Sequence, residues 1–325
     1  MKRITSLLQV TEADRGAFAA IGNFDGVHRG HQRVLEMTRA AAGRLGAPLA
    51  VLTFEPHPRE VFRAGEPPFR LMNAEARAHR LERVGVDILY QLPFDKPLYG
   101  LTDTEFCQSV LVDGLGVRGV SVGADFRYGK GRTGDVSTLT AAGAQFGFAV
   151  EVARLLGLER GPERVSSTAI RKALSDGEPR KAAAMLGHWQ RIEGPVIHGE
   201  KRGRKLGFPT ANMDISAIHQ PRYGVYAVLV EVVTGRYAGH YHGVASVGVR
   251  PMFGENQPNI ETHIFDFDGD LYGEHLSVGL VEYLRPERRF AGVEALIAQM
   301  KEDSAAARRI LVATPDPYRP VAEPD

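Results

Sequence analysis

The sequence predicts two domains of different class: an α/β domain built on a parallel sheet, then a small antiparallel β-barrel with a closing helix. Three observations predict it. Short apolar runs alternate with segments of helical spacing between Phe18 and Val152. From about Gly187 that alternation gives way to β-rich runs, and 325 residues is long for one core and suits two. The boundary is expected at 185, with a first domain over 1–185 and a second over 186–325.

In the first domain, Phe18 to Ile21 has the apolar run of a buried parallel strand, and from Gln32 onward Val34, Leu35 and Thr38 follow helical spacing. Between them lies Gly22-Asn23-Phe24-Asp25-Gly26-Val27-His28-Arg29-Gly30-His31. Gly22, Gly26 and Gly30 permit positive φ and leave room for a ligand, while free amides at a helix start form a positive pole for phosphate. His28 and His31, three apart, straddle that start and can face one another. The Gly-x-x-x-x-Gly-Lys-Ser/Thr phosphate loop is absent, so no lysine serves here. Two imidazoles at a helix N-terminus can steady the charge of an anion such as a nucleotide phosphate chain. The alternatives are a plain surface or core position for the pair, or a zinc site that recruits His57 or another third ligand.

The remaining elements follow in order. Leu49 to Phe54 reads as a strand ending in Glu55-Pro56-His57-Pro58, Ala74 to Val84 as a helix and Asp87 to Leu92 as a strand. Thr102 to Val112 reads as a helix, with Thr102 as N-cap and Glu105 completing a capping box. Val117 to Val122 is a strand, Val136 to Phe146 a helix and Phe148 to Val152 a strand. In such a sheet the ligand sits beyond the carboxyl ends of the strands, where the loops carrying Asn23, His57 and Asp125 converge. The loop Gly123 to Asp135 mixes glycine, aromatic and basic residues, as a surface loop or one that stacks a flat ring and holds phosphate. Ser166-Ser167-Thr168 places hydroxyls at a helix N-cap with Arg171 one turn on, either a plain cap or a phosphate clamp. Ser175 to His188 reads as the linker.

In the second domain, Arg191 to His198, Gly224 to Val233, Tyr237 to Gly248, Ile260 to Phe267 and Leu276 to Leu284 alternate as strands, and Val293 to Leu311 as the closing helix. A basic glycine loop, Gly199 to Lys205, leads into a Pro209-Thr210-Ala211-Asn212 turn. Gly203 and Arg204 belong to the loop, and Thr210 with Asn212 offers hard oxygen ligands of the kind magnesium accepts beside nucleotide phosphates. Glu261 stands in a largely apolar strand, either solvated or placed to take a proton from a hydroxyl.

Composition narrows the classes. Apolar content is 43% and charged content 24%, ordinary for a globular protein. A formal net charge of +1 provides no long-range pull on nucleic acid. The single cysteine, Cys107, excludes an internal disulfide framework and a multi-cysteine metal site. With neither a signal-peptide pattern nor an apolar stretch near the roughly 20 residues of a membrane span, the expectation is a cytoplasmic protein.

The motifs carry a resemblance. His28-Arg29-Gly30-His31 resembles the His-x-Gly-His signature of nucleotidylyltransferases. With Phe54-Glu55-Pro56-His57-Pro58 and Ser166-Ser167-Thr168-Ala169-Ile170-Arg171, the first domain is similar to the adenylyltransferase domain of prokaryotic bifunctional riboflavin kinase/FAD synthetases. Pro209-Thr210-Ala211-Asn212, Glu261-Thr262-His263 and Asp270-Leu271-Tyr272-Gly273 resemble the riboflavin kinase domain of the same family.

That resemblance implies a Rossmann-like nucleotidylyltransferase domain ahead of a riboflavin kinase barrel, with ATP as co-substrate and riboflavin, FMN and FAD as substrates and products. Thr210 and Asn212 then hold magnesium and ATP phosphates, and Glu261 acts as base on the ribityl 5′-hydroxyl. His28, His31 and Arg171 serve adenylyl transfer. Gly22, Asn23, Phe24, Gly30, Ser166, Ser167, Thr168, Gly203 and Arg204 contact ATP or its phosphates. Pro56, His57, Asp125, Phe126 and Arg127 line the flavin site. Partners are small molecules, without nucleic acid or membrane, and a weak or transient oligomer is a possible partner state. A chain with only one activity, or a non-catalytic flavin sensor, is the competing reading.

Overall fold

The computed structural model describes residues 1–153, 165–199, 202–252 and 255–314. Glu200 and Lys201 of the basic loop lie outside the described residues. The chain divides into two compact units, Met1–Glu66 with Arg77–Arg164, and Pro67–Ala76 with Val165–Asp325.

The first unit is built on six parallel strands: β1 (Lys2–Ile4), β2 (Phe18–Ile21), β3 (Leu49–Glu55), β4 (Ile88–Pro93), β5 (Gly119–Gly123) and β6 (Ala149–Ala153), in the order β1-β4-β3-β2-β5-β6. All four residues of β2 are buried, as a central parallel strand requires. Helix α1 (Arg29–Leu45) turns Val34, Leu35, Thr38, Ala41 and Ala42 inward, and Ala41 and Ala42 pack on Phe18. Thr38 keeps its hydroxyl satisfied in that interior by donating to the Val34 carbonyl at 2.6 Å. Helix α2 (Pro58–Phe62) follows β3, and α3 (Ala74–Arg83) precedes β4.

The short α4 (Lys96–Tyr99) leads to α5 (Asp103–Glu105), where the Thr102 and Glu105 capping box forms as the sequence predicts. The expected α-helix then widens into a π-helical stretch, Phe106–Gly114, in which the Leu115 amide reaches back to the Val110 carbonyl at 2.8 Å. That wider turn sends Phe106, Cys107, Val110 and Leu111 together into the core. Helix α6 (Val136–Phe146) completes the unit. Because the strands are parallel, the turns after β2, β3 and β5 leave from one edge of the sheet, and these strands are neighbours.

In the second unit, α7 (Ser167–Asp176) and α8 (Pro179–Leu186) precede β7 (Gln190–Pro195). The carbonyls at the end of α7 are taken up by a loop of the barrel. The His219 ring bonds the Arg171 carbonyl at 3.0 Å, and the Arg222 amide donates to Leu174 at 2.9 Å. A six-stranded antiparallel sheet follows in the order β7-β12-β9-β10-β11-β8, with α9 (Arg202–Lys205), β8 (Ala211–Asp214), β9 (Gly224–Val232), β10 (Gly239–Met252), β11 (Glu255–Ile264) and β12 (His275–Arg285).

The sheet nearly closes into a barrel, because the Ile197 amide beyond β7 donates to the Asn212 carbonyl on β8 at 2.8 Å. Inside lie Ile192, Met213, Tyr226, Val228, Val230, Val247, Ile260, Leu276, Val278 and Leu280. The closing helix α10 (Val293–Val312) packs Ala307 and Leu311 outside β9 and β12 and is tied there by Arg285, whose guanidinium grips the Asp303 carboxylate. One expectation changes: Ala211 and Asn212, read as part of a turn, begin strand β8. A run of Ala-Asn-Met-Asp has little strand propensity of its own, and pairing with β11 supplies it.

Candidate active sites

The turn after β2 reverses the chain with an unusual backbone. Gly26 takes φ +87°, while the positive φ values expected of Gly22 and Gly30 fall instead on Phe24 (51°) and Val27 (41°). Residues with a Cβ rarely hold that conformation unless their surroundings impose it. Phe24 is held by burial of its ring, 5.1 Å from that of His31.

His28 is the N-cap of α1, its Nδ1 accepting from the His31 amide at 3.3 Å. An accepting Nδ1 carries no proton, so neutral His28 bears its proton on Nε2, a donor for an anion. The His31 ring stacks on it at 3.7 Å with planes 12° apart, and His31 Nδ1 is enclosed without a hydrogen-bond partner. Burial foremost, and the charge His28 can carry second, hold the His31 pKa well below its usual value, so at neutral pH it is an uncharged imidazole. The start of α1 therefore offers a helix pole and two imidazoles to an anion.

Asn23 is exposed, but its carbonyl is fixed from below: it accepts from Arg77 Nη1 at 3.2 Å and from Thr53 Oγ1 at 3.4 Å. Neither donor stands out in the sequence. Arg77 shares α3 with Arg80 and Arg83, a pattern that reads as a solvated face, yet Arg77 is 1% exposed.

The flavin candidates fall on two loops. His57 caps α2, accepting from the Arg59 amide at 3.0 Å, next to an exposed Pro56 joined to Glu55 by a cis peptide. Beyond β5, Asp125 and Arg127 are exposed, Phe126 stacks 5.5 Å from Tyr128, and Arg127 pairs with Asp135, the cap of α6, at 2.9 Å. The loop is thus an ordered hairpin, pinned by a bridge between Tyr128 and Gly134. Among the described residues no cluster of His, Cys, Asp and Glu forms a metal site, so nothing groups His57 with His28 and His31 as zinc ligands.

Ser166 is the N-cap of α7, accepting from the Ala169 amide at 3.2 Å, with Ser167 half-buried and Thr168 exposed behind it. Arg171 donates from Nε to the Phe69 carbonyl at 2.9 Å. By contacts these residues belong to the second unit.

In the barrel, Glu261 on β11 stands opposite Asn212 on β8 and Ser246 on β10, so an amide, a carboxylate and a hydroxyl form one cross-strand rank. Alternation sends Ile260 and Ile264 into the core and sets Asn259, Glu261 and His263 on the other face. His263 Nδ1 bonds the Pro209 carbonyl at 2.9 Å and so fixes the start of Pro209-Thr210. Asn212 Nδ2 lies 3.4 Å from the Thr210 carbonyl, while Asn259 Nδ2 lies 3.4 Å from Asn212 Oδ1. A Cβ on Gly199 would come within 2.7 Å of that Asn212 amide, so any larger residue here would push the amide aside. In α9, the Gly203 carbonyl accepts from the Phe208 amide at 2.8 Å, and Arg204 is exposed. The sequence singles out Asn212 and Glu261 but misses Asn259 and the anchoring bond of His263, which depend on strand register.

A parallel α/β unit with stacked imidazoles at a helix start, followed by a barrel that ranks an amide beside a carboxylate, is an arrangement suited to a transferase that handles phosphate groups. Comparison with known proteins makes this specific. Residues 10–169 match the FAD synthetase family and residues 186–311 the riboflavin kinase family. The chain is 42% identical to the bifunctional riboflavin kinase/FMN adenylyltransferase of Pseudomonas fluorescens, over 98% of this chain and 100% of that protein. It is 38% identical to the enzyme of that description from Escherichia coli K12, over 95% and 97%. A solved structure described as a macrolide-efflux protein from Streptococcus pneumoniae matches with a TM-score of 0.77 at 30% identity, covering 94% of this chain and 98% of that one. Among the described residues, no helix is long and apolar enough to cross a membrane. The chain belongs to the bifunctional riboflavin kinase/FMN adenylyltransferase family.

Proposed function

We propose that the family's two activities are divided along the chain, with adenylyl transfer at the turn after β2 and riboflavin phosphorylation at the Asn212–Glu261 rank of the barrel. The enzyme phosphorylates riboflavin with ATP to FMN and adenylylates FMN with a second ATP to FAD and pyrophosphate.

For the kinase step, Glu261 accepts the proton of the ribityl 5′-hydroxyl as its oxygen attacks the γ-phosphorus, and ADP leaves. The hydroxyl of Thr210 and the amide oxygen of Asn212 fit a hard cation, and Asn259 Oδ1, a buried acceptor without a partner, suits a hydroxyl or water in the same place. These residues would hold magnesium, which when bound neutralises phosphate charge. Gly203 and Arg204 of the basic loop lie against the phosphates.

For adenylyl transfer, an FMN phosphate oxygen attacks the ATP α-phosphorus while the bond to the α,β-bridging oxygen breaks. Uncharged His31 and the Nε2 proton of His28 donate to the oxygens that gain charge, and the start of α1 adds its positive pole. Asn23, Phe24, Gly22 and Gly30 supply backbone around the phosphates. Ser166, Ser167, Thr168 and Arg171 grip phosphate in the same reaction, and Pro56, His57, Asp125, Phe126 and Arg127 bind the flavin; their motifs support these roles. The enzyme acts on small molecules in the cytoplasm, with self-association weak or transient.

The observation that carries the reading is the stacked His28–His31 pair capping α1. Its test is chromatography of flavins after incubation with riboflavin, ATP and magnesium. Wild type should yield FMN, then FAD; His31→Ala should stall at FMN; Glu261→Ala should yield FAD only when FMN is supplied. FAD formation at the wild-type rate by His31→Ala would move adenylyl transfer away from this turn.

A further inference from the structure

Arg77 lies on α3, outside every motif named above, and is among the largest fully buried side chains in the protein. Its two terminal nitrogens go to different loops. Nη1 donates to the Asn23 carbonyl at 3.2 Å, in the turn after β2, and Nη2 to Glu55 Oε2 at 2.9 Å, at the end of β3 where the chain enters Pro56-His57. Both loops belong to the first unit.

The turn after β2 needs such support. Phe24 and Val27 both hold positive φ on either side of Gly26, a conformation that residues with a Cβ keep only where neighbours impose it. The Asn23 carbonyl, one residue before Phe24, is fixed by Arg77 and by Thr53, and Thr53 lies two residues before Glu55 on β3. A planar guanidinium can hold two acceptors at a fixed mutual spacing, which a lysine ammonium on its flexible stem does not reproduce.

We propose that Arg77 is a positioning residue for adenylyl transfer: by tying Asn23 to Glu55 it sets the spacing between the phosphate-binding turn and the loop that carries Pro56 and His57. The inference rests on the placement of adenylyl transfer given above. Its consequence is kinetic. Attack of one phosphate on another demands close alignment, and a displacement of about 1 Å can cost about 10²-fold in rate. Loss of Arg77 therefore lowers kcat for FAD formation, while the kinase step in the same chain serves as internal control.

The experiment uses the full chain and measures both reactions by flavin chromatography in Arg77→Met, Arg77→Lys, Glu55→Gln and His31→Ala. Arg77→Met should lose about 10²-fold in adenylyl-transfer kcat, with KM for ATP and the kinase rate within about threefold of wild type. Arg77→Lys should recover part of that loss. Glu55→Gln, which keeps shape but removes the charge, should lose about tenfold. Should Arg77→Met fail to fold, shown by loss of the wild-type circular dichroism spectrum and thermal transition, Arg77→Lys and Glu55→Gln decide the question. Wild-type adenylyl transfer in those two variants, with His31→Ala inactive, overturns the role of Arg77 alone. Wild-type adenylyl transfer in His31→Ala overturns the placement on which it rests.

Discussion

His28 and His31 stack with ring centroids 3.7 Å apart while His28 Nδ1 accepts from the His31 amide. One ring therefore caps the helix and, in the proposed site, also offers a donor to phosphate, and the two duties can be separated. His28→Ala should lose both, with a lower melting temperature from a missing cap worth about 0.5–2 kcal/mol and an adenylyl-transfer rate down about 10²–10³-fold. His28→Asn should recover the melting temperature, because asparagine caps well, and leave the rate low. Thermal melting beside flavin chromatography checks both outcomes.

His31 makes the fold sensitive to acid. Its pKa lies well below the usual value in the folded chain, through burial first and then the His28 charge, whereas the unfolded ring titrates near about 6.5. Below that pH the unfolded state binds more protons, so the contribution is complete above about pH 6.5 and is lost as pH falls beneath it. Burial lowers His219 in the same sense. Denaturation series between about pH 7.5 and about pH 5.5 should show stability falling with acid, and His31→Gln should flatten that slope in part, leaving the share of His219.

Removal of metal with a chelator should stop FMN formation, and magnesium should restore it. Asn212→Ala should raise the magnesium concentration for half-maximal kinase rate by about tenfold or more, since loss of even an outer-shell partner has that effect. A kinase rate in Asn212→Ala with wild-type metal dependence would remove Asn212 from the metal site.

Asp303 receives three hydrogen-bonding contacts from Arg285, at 2.9, 3.0 and 2.7 Å, with side-chain exposures of only 8% and 12%. Asp303→Ala leaves a nearly enclosed guanidinium without its carboxylate. Urea denaturation should show a loss of about 3–5 kcal/mol, the size expected when one partner of a buried pair is removed.

What the sequence makes legible follows from the range of the forces involved. The helix at Val136–Phe146, the strand at Phe18–Ile21 and the Thr102–Glu105 capping box are set by neighbours within a turn or two, and their signals are local. Histidines at a helix start are visible for the same reason. Arg77 is not, because its partners Asn23 and Glu55 are distant in sequence and a charged residue on a helix usually faces water. Asn259 escapes notice because its meeting with Asn212 depends on the pairing of β11 with β8, and β8 takes its strand form from that pairing. The π-helical turn after α5 is equally hidden, since it answers to the packing of Phe106, Cys107 and Leu111 rather than to any breaker residue.

The segment Pro67–Ala76 interrupts the first unit in sequence and belongs to the second, where Asn73 donates to the Glu193 carbonyl at 2.8 Å and Gln190 donates to the Leu71 carbonyl. The protein therefore cannot be parted into its units by one scission of the gene. Any exchange of one half for that of a relative, in the laboratory or in evolution, must carry this internal stretch along or rebuild its contacts. Such a requirement favours inheritance of the two activities as a single piece.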